Sequence, residues 1–118
     1  MATGVQTVNA YFDAMRARDT GALVALFTAD AELVNAAGVY RGIDAIVGFY
    51  RDLVFPIPDF EPNPGPLIGD GDRIAVEIRV RMAGSLTDVA DVFRIASDGR
   101  IARLVIYGAT YLTDTSTE

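Results

Sequence analysis

The chain offers a narrow set of reactive side chains. Its 118 residues include no histidine and no cysteine, and all ten basic residues are arginine. Imidazole bases, thiolate nucleophiles, thiolate metal sites and lysine Schiff bases are therefore excluded. What remains for chemistry is carboxylates, tyrosines, arginines and hydroxyls. Among the carboxylates, Asp91 stands apart. It falls in Thr87-Asp88-Val89-Ala90-Asp91-Val92-Phe93-Arg94-Ile95, a run that reads as a β-strand. Side chains alternate across a strand, so Thr87, Val89, Asp91, Phe93 and Ile95 share one face. Asp91 is the one carboxylate on that mostly apolar face. Burying an ionised carboxylate is costly unless it is paired or neutralised. The placement marks Asp91 as a candidate base. The structural alternative is a buried Asp satisfied by an Arg or a backbone donor.

The elements that would position such a group can be read along the chain. Val5, Val8, Tyr11, Phe12 and Met15 recur at helical spacing, so Thr3 to Arg18 reads as an amphipathic helix with Tyr11 on its inner side. Asp19 or Thr20 can cap a short second helix carrying Leu23, Val24, Leu26 and Phe27. Ala31–Val34 and Val39–Arg41 form a hairpin around Ala36-Ala37-Gly38. A third helix follows Gly42, with Ile43, Ile46, Val47, Tyr50 and Leu53 on one face. All five prolines lie between Pro56 and Pro66, which makes this stretch a loop or an edge strand, because proline cannot donate to a ladder. Arg73–Met82 alternates most cleanly, with Ile74, Val76, Ile78, Val80 and Met82 opposite Arg73, Ala75, Glu77, Arg79 and Arg81. Ala83-Gly84-Ser85 turns it into the strand of Asp91. Ser97-Asp98-Gly99, whose Asp-Gly pair suits a tight hairpin turn, leads into a last strand, Ile101–Tyr111. The polar tail Thr113–Glu118 is expected to fray. This order predicts one α+β domain over residues 1–118, with helices packed on one face of a curved antiparallel sheet. The last strand is apolar on both sides: Leu104 and Ile106 on one, Val105, Tyr107 and Tyr111 on the other. That pattern predicts a second covering surface, most simply another copy of the chain in a homodimer.

Composition narrows the function classes. At 51% hydrophobic the chain can bury a substantial core, and its net charge of −6 argues against nucleic-acid binding. No apolar stretch approaches a membrane span. The start, Met1-Ala2-Thr3-Gly4, lacks the basic and apolar blocks of a signal peptide. A soluble cytoplasmic protein with no membrane partner is expected.

Several segments together resemble the ketosteroid isomerases, within the nuclear-transport-factor-2-like (NTF2-like, SnoaL-like) superfamily. They are Tyr11-Phe12-Asp13, Ala29-Asp30-Ala31, Gly42-Ile43-Asp44-Ala45-Ile46 through Phe49-Tyr50-Arg51, Asp88-Val89-Ala90-Asp91-Val92 and Asp98-Gly99-Arg100-Ile101. The Ala-Asp-Ala and Gly-x-x-x-Ile segments imply only the fold; Tyr11 together with Asp91 is the more specific signal. The resemblance implies a cone-shaped fold, three N-terminal helices on a curved, mainly antiparallel sheet. It also implies a steroid delta-isomerase-like activity, which moves a β,γ double bond into conjugation with a ketone through a dienolate. In that family a tyrosine and a protonated aspartic acid form the oxyanion hole. Tyr11 and Asp91 match those donors, and an apolar strand face is one way to keep an acid neutral. Tyr50 matches a tyrosine that supports the donor tyrosine, while Phe27 replaces a neighbouring member of that network. The ligand implied is a small hydrophobic steroid or enone, held by Met15, Phe49, Phe55, Val89 and Leu104. Gly108 stands where some relatives carry a bulky tryptophan. No metal or cofactor is implied.

Asn35 departs from the family pattern. It falls where these enzymes place their base aspartate, and an amide has no useful basicity near neutral pH. Three readings compete: a slipped alignment, a relative that binds ligand without this chemistry, or a replacement of Asp by its near-isostere that traps a bound intermediate analogue. The otherwise complete site favours the last. Asp30 and Glu32 do not substitute easily. A polyketide-cyclase-like enzyme with an Asp acid/base is a further alternative, as is a non-catalytic small-molecule binder. An epoxide-hydrolase-like site would need an Asp-Arg-Asp cluster in the cavity, yet Arg73, Arg79 and Arg81 lie opposite the apolar face of their strand.

Overall fold

The computed structural model describes residues 3–108. Its elements run α1 (Gly4–Ala17), α2 (Thr20–Ala25), β1 (Phe27–Asn35), β2 (Gly38–Arg41), α3 (Ile43–Phe49), a π-helical turn (Tyr50–Val54), β3 (Glu61–Pro64), β4 (Ile68–Asp70), β5 (Arg73–Met82), β6 (Ser85–Ile95) and β7 (Ile101–Gly108). The strands form one curved sheet in the order β2-β1-β7-β6-β5-β3, with β4 also paired to β5. The helices cover its inner face. This is the NTF2-like cone expected, an α+β domain. The sheet is mixed rather than purely antiparallel, because β1 runs parallel to β7. Parallel neighbours need a long crossover, and everything from β2 to β6 supplies it. Ala109–Tyr111 of the expected last strand, and the tail after it, lie outside the described residues.

Thr3 starts α1 with a capping box, exchanging hydrogen bonds with Gln6. A Cβ on Gly4 would lie 2.8 Å from Ile74 Cδ1, so glycine lets the helix start close to β5 without turning the Ile74 side chain aside. Val8, Tyr11, Phe12 and Met15 are buried as expected, but Val5 is exposed and Thr7 takes its place inside, donating to the Gly99 carbonyl at 2.6 Å. Asp19 caps α2 through a hydrogen bond from the Ala22 N–H. Phe27, expected on that helix, opens β1 instead and fills the core.

Two departures shape the cavity. The third helix widens into a π-helical turn, closed by Phe55 N–H donating to the Tyr50 carbonyl. The wider turn shifts the helix phase. Ile46, Tyr50 and Val54 therefore face inward, while Leu53, expected on that face, is 58% exposed. The proline-rich stretch does form an edge strand, β3, with Pro62 opposite Val80. The loop before it is held by Arg18, whose guanidinium donates to the carbonyls of Phe55, Ile57, Pro58 and Phe60. Among the described residues no helix is long and apolar enough to cross a membrane.

Candidate active site

Asp91 sits mid-strand on β6, between Val76 of β5 and Ile106 of β7. Strand alternation turns it inward with Val89 and Phe93, toward α1. Tyr11 reaches the same space from α1, its ring edge-on to Phe93, Phe12 and Phe27. Tyr50 reaches it from the π-helical turn. The three side chains line a cavity of about 230 Å³ whose remaining wall is almost wholly apolar.

Each polar group here is altered by burial. Asp91 is 3% exposed, and its Oδ1 has no hydrogen-bond partner among the described residues. Desolvation pushes its carboxyl from an ordinary 3.8 up to about 7, because the charged form loses its water. No arginine faces it; Arg73, Arg79 and Arg81 all point outward and pair with Asp72, Asp88 and Glu61. The cavity thus lacks the Asp-Arg-Asp cluster an epoxide hydrolase would need. The Tyr11 and Tyr50 hydroxyls are hydrogen-bonded to each other. Burial, then the neighbouring Tyr50 and Asp91, raises the Tyr11 hydroxyl well above its usual range. Burial and then Asp91 raise Tyr50 in the same way. Both phenols are neutral donors at any physiological pH. A buried acceptor-and-donor carboxyl with one empty oxygen, beside a buried phenol, is suited to hold a ligand oxygen that gains negative charge.

Of the residues expected from sequence, Tyr11, Asp91, Tyr50, Met15, Phe49 and Val89 come together around this cavity. Others fall elsewhere. Phe55 packs its ring 5.8 Å from that of Tyr50, outside the cavity wall. Leu104 is fully buried in the core opposite Phe93, one pair too deep along β7 to reach the cavity. Gly108 lies opposite Val89 at the end of β7, in an open groove with Tyr107 and Arg79. Asn35 ends β1. Alternation keeps it on the face of Leu33, and the β1–β7 register brings it level with the cavity residue Ile106. Its Oδ1 accepts from the Ala37 N–H at 2.9 Å, so the amide is engaged in its own turn rather than on the cavity wall.

Sequence reading missed other wall residues: Phe60, Pro62, Ile78, Val80, Thr87 and Ile106. The alternation of β5 and β6 already put Ile78, Val80 and Thr87 on the inner face. Nothing local could bring Phe60 and Pro62 to it.

Known proteins share this architecture. The family model described as the SnoaL-like domain matches residues 8–104. A structure from Sinorhizobium meliloti, a candidate polyketide cyclase, is 33% identical, with 85% of this chain and 92% of that one covered and a TM-score of 0.78. A SnoaL-like protein of unknown function from Burkholderia thailandensis is 21% identical, with 91% and 95% covered and a TM-score of 0.78. An NTF2-like protein of unknown function from Cytophaga hutchinsonii is 13% identical, with 100% and 97% covered and a TM-score of 0.82. The latter two similarities concern the fold alone. No curated protein matches the chain.

Proposed function

The chain belongs to the SnoaL-like domain family, and on that premise we propose that it acts on a ketone through an enolate held by Tyr11 and Asp91. The observation that carries this reading is the buried, unpartnered Asp91 Oδ1 in the cavity that Tyr11 also lines. A ligand carbonyl placed there accepts from the Tyr11 hydroxyl and from neutral Asp91. Those bonds strengthen as charge moves onto the oxygen, which is the differential binding that lowers a barrier.

The specific form proposed is steroid delta-isomerase-like. A base removes the proton between ketone and alkene of a β,γ-unsaturated 3-ketosteroid, the dienolate rests on Tyr11 and Asp91, and the proton returns further along. Tyr50 supports Tyr11, while Met15, Phe49 and Val89 enclose the apolar body. In this reading Asn35 corresponds to the base position, beside the cavity but turned to the Ala37 N–H; an amide cannot take a proton, so this chain binds and polarises more than it turns over. Restoring the base by Asn35→Asp tests the reading. The expected result is a large rise in enone absorbance against the unsubstituted chain. A ligand that binds both forms with no rate gain in the Asp form would sink it.

A second reading is favoured by the 33% identity to the candidate polyketide cyclase and by a carboxyl near 7 with an empty oxygen. In it Asp91 is itself the acid and base of a ring-closing carbon–carbon bond formation. Asp91→Asn separates the two, since an amide still donates to an oxyanion but cannot shuttle a proton. In both readings the chain is proposed to work as a homodimer. The supporting feature is the uncovered outer sheet face, where Ala90 and Val92 lie beside a 57% exposed Tyr107. Sedimentation as a monomer at micromolar concentration would remove that part.

A further inference from the structure

The cavity has polar groups at both ends and almost none between. At one end are Tyr11, Tyr50 and Asp91. At the other is Thr87, on the same face of β6 and opposite Val80, in the row that also contains Pro62 of the edge strand. Thr87 is exposed, whereas Val89 midway is half-buried and Asp91 is buried, so the cavity opens along β6 from Asp91 outward. Its hydroxyl makes no hydrogen bond within the described residues. Ile78, Val80, Met15 and Phe60 line the length between. Four residues of strand separate the two ends, roughly 13 Å at the usual rise. The cavity, about 230 Å³ and open to solvent, holds only part of a large ligand, so a long one emerges past Thr87.

Resting on the enolate-site reading above, we infer that Thr87 is a second recognition point, selecting elongated, flat, apolar ligands that carry an oxygen at each end. Hydrogen bonds reach inward from each side chain, so the two ligand oxygens lie roughly 8–12 Å apart. A ligand oxygen at this position meets a hydroxyl at the exposed mouth, whereas one facing Val80 or Met82 meets only apolar side chains. Specificity then comes from the far end of the molecule, and the chemistry from the near end.

Two probes separate the ends: para-hydroxybiphenyl, with one hydroxyl, and its para,para′-dihydroxy counterpart, whose oxygens span this distance. Calorimetric titration at a pH near 6 gives the affinity ratio of the two. In the unsubstituted protein the second hydroxyl is expected to improve binding about 5–10-fold, beyond the roughly twofold due to two equivalent ends. Thr87→Val, nearly isosteric, should bring the ratio down to that twofold, and Thr87→Ser should keep it. The same high ratio in the Val variant, or no gain in the unsubstituted protein, overturns the role of Thr87 alone. Failure of para-hydroxybiphenyl to bind, or binding indifferent to Tyr11→Phe, overturns the enolate site and this inference with it.

Discussion

The hydroxyls of Tyr11 and Tyr50 meet in a buried hydrogen bond, although the two residues are 39 positions apart. One hydroxyl proton is committed to that bond. When Tyr50 donates it, Tyr11 keeps its own proton for a ligand, and the chain of bonds polarises it into a stronger donor. The two tyrosines are therefore unequal. Tyr11→Phe should weaken binding of a naphthol at a pH near 6 by roughly 10-fold, the upper worth of a hydrogen bond to a neutral oxygen. Tyr50→Phe removes only the support and should cost roughly 2–3-fold. Titration calorimetry measures both, and equal losses would contradict the order Tyr50 to Tyr11 to ligand.

Asp91 should give folding stability a falling dependence on pH. Its carboxyl is raised from 3.8 to about 7 in the folded chain. Between those values the unfolded chain has released the proton and the folded chain still holds it. The unfolded state then binds fewer protons, so stability drops as pH rises. The contribution is intact below about pH 4, declines through neutrality and levels off above about pH 7, a total of roughly 4 kcal/mol. Asp91→Asn removes this titration and keeps the shape. The variant should become the more stable protein toward pH 8 in urea unfolding. Parallel stability curves for the two proteins across that range would show that the carboxyl is not held neutral by its burial.

Much of the fold and of the cavity is legible in the sequence, for specific reasons. Tyr11 and Asp91 lie on elements with clean periods, helical for α1 and alternating for β6, so their inward faces can be read directly. The helical period after Gly42 puts Tyr50 on the inner face with Ile46, but its place beside Tyr11 is given only by resemblance, and the π-helical turn that starts at Tyr50 breaks the period beyond it. The same break exchanges Leu53 for Val54 on the buried face. Leu104 and Gly108 show a different limit: alternation gives the face of a strand, not the level along it at which core becomes cavity. The mouth is illegible for a third reason. Phe60 and Pro62 are carried in by a loop whose main-chain carbonyls bind Arg18, and carbonyls leave no trace in sequence. β4 escapes notice because Ile68-Gly69-Asp70 is too short to show a period.

The turn beside that mouth offers a separate test. Ala83 and Gly84 join β5 to β6 as a two-residue hairpin, both with positive φ, 52° and 83°. Such turns favour Asn-Gly, because alanine in the left-handed region costs about 1 kcal/mol. The strained alanine is held by Asp59, whose carboxylate accepts from the Ala83 N–H at 2.7 Å and the Gly84 N–H at 2.8 Å. Those bonds lower the Asp59 carboxyl below its usual value. Asp59 precedes Phe60 in the loop that forms the cavity mouth, so one side chain anchors both the turn and the mouth. Ala83→Asn should relieve the strain and raise stability by about 0.5–1 kcal/mol, with ligand release unchanged. Asp59→Ala should act on the mouth as well, making the loop a faster target for limited proteolysis and speeding ligand release in stopped-flow measurements. Release rates equal in Asp59→Ala and the unsubstituted protein would mean that the turn is anchored by Asp59 but the mouth is held by Arg18 alone.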